Sequence, residues 1–240
     1  MTAPITRTAD EGVRLAKRVA TLAGVSRREA ELLIENGAVS VDGRPALLPQ
    51  SRVHDSQRVE IAAGARPEPV LAVTLLLHKP AGLPFDAAHN LLVAANHHEP
   101  EREGMRFLPA HTKGQRCMTP LETGASGLVV FTREWRIERK LQEDAGVIEH
   151  EVMVDVAGTV AAEVLGRLER SPARVSIGRQ SDAQTGLRFA LKGARPGQIA
   201  EICDRVDLRI LAMRRIRIGR VPLAGLAPGQ WRYLQPDERF

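Results

Sequence analysis

Tyrosine is nearly absent from this 240-residue sequence: Tyr233 is the only one, and it sits close to the C-terminal end. No other stretch can therefore supply a tyrosine to a site that needs one. Cysteine is almost as scarce. Cys117 and Cys203 lie far apart with no CxxC partner, which argues for a reduced compartment and ordinary packing, and against a disulfide framework or a cysteine metal site. No apolar run approaches 18 residues, so no membrane-spanning helix is expected. The opening "MTAPITRTADEGVRLAKR" has no apolar signal-peptide core, and a cytoplasmic protein is expected. Internal repeats are also missing.

What is present is a hydrophobic fraction of 43% with 26% charged residues, the balance of a globular chain with a real core. Lys and Arg exceed Asp and Glu by 34 to 29, for a net charge of +5 and a pI near 9.7. Arginine drives that excess, and phosphate backbones are frequent partners of such chains.

Two units can be read along the chain. The first runs from Glu11 to Ile61. In "GVRLAKRVATLAG", Leu15, Val19 and Leu22 recur at helical spacing and Gly24 ends the helix. "SRREAELLIENG" opens on Ser26 and Glu29, the pattern of a capping box. Ala30, Leu33 and Ile34 form its apolar stripe, and Gly37 is its stop. Asp42-Gly43 predicts a tight turn between short strands, and "RVHDSQRVEI" a further strand. Residues 62–69, "AAGARPEP", read as a linker. The second unit, 70–240, alternates many strand-like runs with a few helical ones. It begins with "VLAVTLLLHKPAG", followed by a polar loop from Asn96 to Arg116. The class predicted is α+β with a mainly antiparallel sheet.

The stretch "RLAKRVATLAGVSRREAELLIENGAVSVDGR" resembles an S4 RNA-binding domain. That likeness implies RNA contact through Arg14, Lys17, Arg18, Arg27 and Arg28. Guanidinium groups on two packed helices, with helix N-termini beside them, suit phosphate.

The second unit resembles the catalytic domain of the RsuA-like ribosomal RNA pseudouridine synthases. Three motifs carry the likeness: "LLLHKPAG" with Lys79, Pro80 and Gly82; "LETGASGLVVFT"; and "LAMRRIRIGRVPLAGLAPGQWRYL" with Arg215, Arg217 and Gly219. The resemblance implies isomerisation of a flipped uridine in a cleft, with no metal and no organic cofactor. It also implies RNA contacts at Lys79, Arg215 and Arg217, and a single catalytic acid in the loop that family members write G-R-L-D-x-x-T-S-G-L. In this chain that acid is Glu122. Pro120 stands for the loop arginine, Thr119 for the glycine and Ala125 for the threonine. The family's Lys-Glu-Tyr strand reads His150, Glu151, Val152, so the stacking tyrosine is gone. In "ARPGQIAEI", Gly197, Ala200 and Glu201 stand where arginines are expected.

These departures set the functional expectation. Glu122 carries one methylene too many, and a displacement of about an ångström can cost about 100-fold in rate. Loss of the tyrosine removes stacking worth about 1–3 kcal/mol per base. The expected protein is a monomeric binder of folded RNA, ribosomal or precursor, whose isomerase site is silent. The alternatives are an active pseudouridine synthase using Glu122, and a protein-binding scaffold that has lost its RNA.

Other groups invite bland readings. His97, His98, Glu99 and His111 lack metal-ligand spacing. A polar surface loop, touching RNA through Arg102, Arg106 and Lys113, is the expectation there. Asp86 reads as a turn-capping aspartate. In "RILAMRRIRIGR", strand alternation predicts Arg215 and Arg217 on one face and Arg214 on the other.

Overall fold

A computed structural model describes residues 12–98 and 106–240. Among these the chain divides into two compact units: 12–71 with 106–113, and 72–98 with 114–240. No helix among the described residues is long and apolar enough to cross a membrane.

The first unit contains strand β1 (Val13–Arg14), helices α1 (Leu15–Ala23) and α2 (Arg27–Glu35), and strands β2 (Val39–Val41), β3 (Arg44–Pro45), β4 (Arg52–Val53) and β5 (Val59–Ile61). Leu15, Ala16 and Val19 of α1 bury against Ala30, Leu33 and Ile34 of α2. Gly24 closes α1 in the left-handed conformation at φ 66°. The capping box forms as read: Ser26 N donates to Glu29 Oε2 at 2.8 Å and Glu29 N to Ser26 Oγ at 3.2 Å. Asp42 and Gly43 both take positive φ in the β2–β3 turn.

The stretch read as one strand, "RVHDSQRVEI", is two. Gln57 accepts from His54 N through its side chain and breaks the run into β4 and β5. β4 pairs with β1, whereas β5 pairs with β2. The stretch read as a linker lies along this unit: Ala62 N donates to Ala38 O at 2.8 Å, and Asn36 Nδ2 to Glu68 O at 2.7 Å.

The second unit is built on β6 (Thr74–Lys79), β7 (Arg116–Cys117), β8 (Ser126–Thr132), α3 (Trp135–Glu143), β9 (Glu149–Ala157), α4 (Ala162–Leu168), β10 (Arg174–Gln180), β11 (Gln184–Lys192), α5 (Gln198–Asp204), β12 (Ile210–Ile218), β13 (Val221–Pro222) and β14 (Trp231–Tyr233). The first strand starts at Thr74, four residues later than the apolar run suggests. Its sheet runs β10-β11-β9-β12-β8-β6-β14. Within it only the β12–β8 pair is parallel among the described strands, with Arg214 opposite Ser126 and Arg215 opposite Gly127. Two antiparallel halves therefore meet at a parallel seam.

Gly127 makes that seam possible. Its φ is +115°, and a Cβ there would stand 2.2 Å from Arg215 O. The loop carrying Glu122 enters β8 at this point.

Candidate nucleotide pocket and basic concavity

The residues around Glu122 are organised by Arg215. Its side chain is buried, 3% exposed, and its hydrogen bonds go to carbonyls at or near the loop. Nε donates to Leu128 O at 2.7 Å, Nη1 to Pro120 O at 3.5 Å, and Nη2 to Thr119 O. Burial pushes its pKa down to about 10, against the pull of Cys117 and Glu122, so it stays a cation at neutral pH. Lys79 is buried in the same manner. Its Nζ donates to Leu83 O at 2.6 Å, Pro80 O at 3.0 Å and Thr123 O at 3.3 Å. Desolvation lowers the Lys79 pKa, with Glu122 opposing.

From the sequence both cations are expected at RNA; in the fold both are buried, Lys79 at 0% and Arg215 at 3% exposure. With no exposed head, Lys79 and Arg215 serve as clamps on the loop. Glu122 itself is half-buried, and among the described residues no side chain donates a hydrogen bond to it. It feels Lys79 and Arg215 through space, so the absence of an arginine at position 120 does not leave it without positive charge.

The pocket beside Glu122 is small, about 30 Å³. That is room for a water or two, where pockets for ring-sized ligands run to about 300 Å³ or more. Leu121, Val152, Leu191, Ile199 and Met213 line it, together with Glu122, His150 and Arg215. Val152, at the position of the family's tyrosine, is buried among them. Tyr233 is in β14 at the far edge of the sheet, edge-on to Trp231 at 5.5 Å. Arg195 reaches the pocket rim but is bonded twice to Glu201, at 3.0 and 2.7 Å.

His150 is the unexpected member of this wall. It is 7% exposed, and its Nδ1 has no partner among the described residues. Burial, followed by the nearby Arg215 charge, lowers its pKa from 6.5 to about 3. The folded state thus refuses a proton that the unfolded chain accepts below about pH 6.5. Stability contributed by the neutral ring is present above that pH and is lost as pH falls towards 3, by up to about 1.4 kcal/mol per pH unit. His150→Leu is expected to flatten the urea-derived stability profile between pH 6.5 and 4; a profile as steep as wild type would assign the acid sensitivity to other groups.

Arg217 lies on the opposite face from Arg215, contrary to simple alternation. The register shifts between them: Arg215 is opposite Val152, whereas Arg217 is opposite Glu151. The extra residue, Ile216, forms a bulge that reverses the side-chain direction. Arg217 Nε donates to Glu151 at 2.8 Å and Nη2 to Glu149 at 2.7 Å, while Arg188 and Arg174 hold the same two acids. Hydrogen bonds from these arginines keep both carboxyls below their ordinary pKa.

The loop after β6 is more ordered than its polarity suggests. Short 3-10 helices occupy Phe85–Leu91, Ala94–Asn96 and Pro109–Thr112. His97 stacks on Trp231 at 4.3 Å. Asp86 caps nothing with its side chain, which is exposed; its carbonyl accepts from His89 Nδ1 at 2.6 Å. Glu99 and Arg102 lie outside the described residues.

In the first unit a concavity of about 380 Å³ is walled by Arg14, Lys17, Arg27 and Arg52. Arg52 was not singled out from the sequence. The β1–β4 register places it directly opposite Arg14, so both guanidinium groups leave the same face. Arg18 is turned towards Asp55, and Arg28 towards Glu31 at 3.4 Å, both outside this concavity.

Comparison with known proteins matches this architecture. The S4 domain model covers residues 13–59. Over nearly its whole length the chain is similar to "Dual-specificity RNA pseudouridine synthase RluF" of Escherichia coli K12, at 26% identity over 95% of this chain and 78% of the relative. It is similar to "Ribosomal large subunit pseudouridine synthase B" of Bacillus subtilis at 25% identity, covering 94% and 93%. An uncharacterised RNA pseudouridine synthase of Aquifex aeolicus is 24% identical over 94% of both chains. A crystal structure of a pseudouridylate synthase superposes with a TM-score of 0.53 at 16% identity, covering 93% of this chain and 96% of that one, which supports the fold.

Proposed function

We propose, starting from the family to which the chain belongs, the RNA pseudouridine synthases with an N-terminal S4 domain, that it binds folded ribosomal RNA in the cytoplasm and no longer isomerises uridine. The observation that carries this reading is the wall of the Glu122 pocket. With Val152 in place of an aromatic and about 30 Å³ of space, the pocket has neither a stacking face nor a volume for a flipped base. Binding, by contrast, has an open basic concavity to work with at Arg14, Lys17, Arg27 and Arg52.

One observation favours the other reading, an active enzyme using Glu122. Lys79 and Arg215 bring positive charge towards the Glu122 carboxylate. The two readings part on one assay. Large-subunit and small-subunit rRNA transcripts that the protein retains on a filter are incubated with it and mapped for pseudouridine. No modified site is expected from wild type. None is expected from Glu122→Asp either, because groups that act as a unit are not restored singly. Turnover by wild type that disappears in Glu122→Gln would establish the glutamate as catalyst and end the silent-site proposal.

A further inference from the structure

The polar stretch between β6 and β7 adds a cation to the first unit. Residues 106–113 belong to that unit, although residues 72–105 separate them from its main chain segment ending at 71. They are anchored by packing. Ala110 and His111 are buried in the 3-10 turn Pro109–Thr112. Leu108 comes so close to Gly37 that a Cβ there would stand 3.3 Å from Leu108 Cδ2. Gly37 has a φ of +74°, a backbone conformation that favours glycine.

This anchoring delivers Lys113 to the last turn of α2, where its Nζ lies 2.9 Å from Glu35 Oε1 with the side chain 52% exposed. Here Lys113 lines a second concavity, of about 180 Å³, with Arg14, Arg27, Glu31, Glu35 and Gln50. Arg14 and Arg27 also wall the larger basic concavity, so the two share a border. Across both, the cations are Arg14, Lys17, Arg27, Arg52 and Lys113, against the carboxylates Glu31 and Glu35. The excess is positive and the lining is polar, which suits a phosphate chain better than an apolar ligand.

We infer that Lys113 extends the RNA grip of the S4 unit by one phosphate, so that the sugar-phosphate backbone runs from Arg52 and Lys17 across Arg14 and Arg27 to Lys113. This rests on the proposal that the unit binds RNA. A phosphate oxygen arriving at Lys113 competes with Glu35 for its ammonium, so Glu35 acts as an occupant that RNA displaces.

The test is filter retention of a large-subunit rRNA transcript over a salt series, using the full chain, together with thermal melting. Lys113→Ala is expected to reduce the slope of log affinity against log salt by about 0.7–0.9, one phosphate contact, as Arg14→Ala also does. Lys113→Arg should keep the wild-type slope. Melting of Lys113→Ala should stay close to wild type, because an exposed ion pair stabilises little. A wild-type slope in Lys113→Ala beside a flattened one in Arg14→Ala overturns this inference and leaves S4 binding intact. A lowered melting temperature with unchanged slope also overturns it, making Lys113 a strap. Unchanged slopes in both variants remove the RNA-binding reading itself.

Discussion

Alanine at Arg14, Lys17 and Arg27 together is expected to weaken rRNA binding by on the order of a hundredfold at low salt. The slope against salt should fall by about 2–3, because each phosphate contact releases its share of condensed counterions. These three side chains wall one concavity, whereas Arg18 and Arg28 do not line it, although Arg27 and Arg28 both lie within reach of Glu31, at 3.6 and 3.4 Å. Arg18→Ala and Arg28→Ala therefore serve as controls that each remove one positive charge, and neither is expected to move the slope by a full contact. Net charge alone would make all five substitutions equivalent. Geometry makes them unequal, and filter binding of the triple variant against the two controls measures the difference. Equal losses per residue across all five would show a diffuse field with no defined phosphate track.

Much of this architecture is legible before any coordinates, and for physical reasons. Local rules act within a few residues: the Ser26–Glu29 capping box, Gly24 at a helix end and Asp42-Gly43 in a turn all form as read. Amphipathic spacing likewise locates the buried stripe of α2 and, in α1, Leu15 and Val19, whereas Leu22, read as the third member, is 55% exposed. What the sequence conceals depends on register and depth. Lys79 and Arg215 look like surface cations in a basic protein, because some of the carbonyls that receive them are distant in the chain: Thr123 O is 44 residues from Lys79, and those of Leu128, Pro120 and Thr119 are 87 to 96 residues from Arg215. Arg217 is misread for a subtler reason: the bulge at Ile216 shifts the face by one residue, and no composition signal announces it. Arg52 escapes notice because it is in a two-residue strand whose partner is known only from the pairing. That position 152 departs from the motif is readable in the sequence, but that the valine lines a small pocket beside Glu122 is not.

Arg215→Met is expected to cost about 3–5 kcal/mol of stability, a large share of the roughly 5–15 kcal/mol typical of a domain. Burying a guanidinium is expensive, and replacing a buried ion pair with apolar groups is sometimes neutral. That escape is closed here, because the partners are main-chain carbonyls of Leu128, Thr119 and Pro120 and no companion substitution can remove them. Methionine fills much of the volume but leaves those acceptors without donors, each at about 1–3 kcal/mol where water cannot reach. Lysine keeps the charge yet lacks the planar fork, so Arg215→Lys should fall between wild type and methionine. The partner strand reports the same seam independently: Gly127→Ala puts a methyl 2.2 Å from Arg215 O and should also destabilise. Urea unfolding followed by circular dichroism measures all three. A phosphate-binding Arg215 would behave the other way round, with Arg215→Met unfolding at the wild-type urea concentration and RNA affinity dropping with a flatter salt slope. The buried guanidinium predicts early unfolding, and in the cold, folded fraction an S4-borne salt slope that matches wild type.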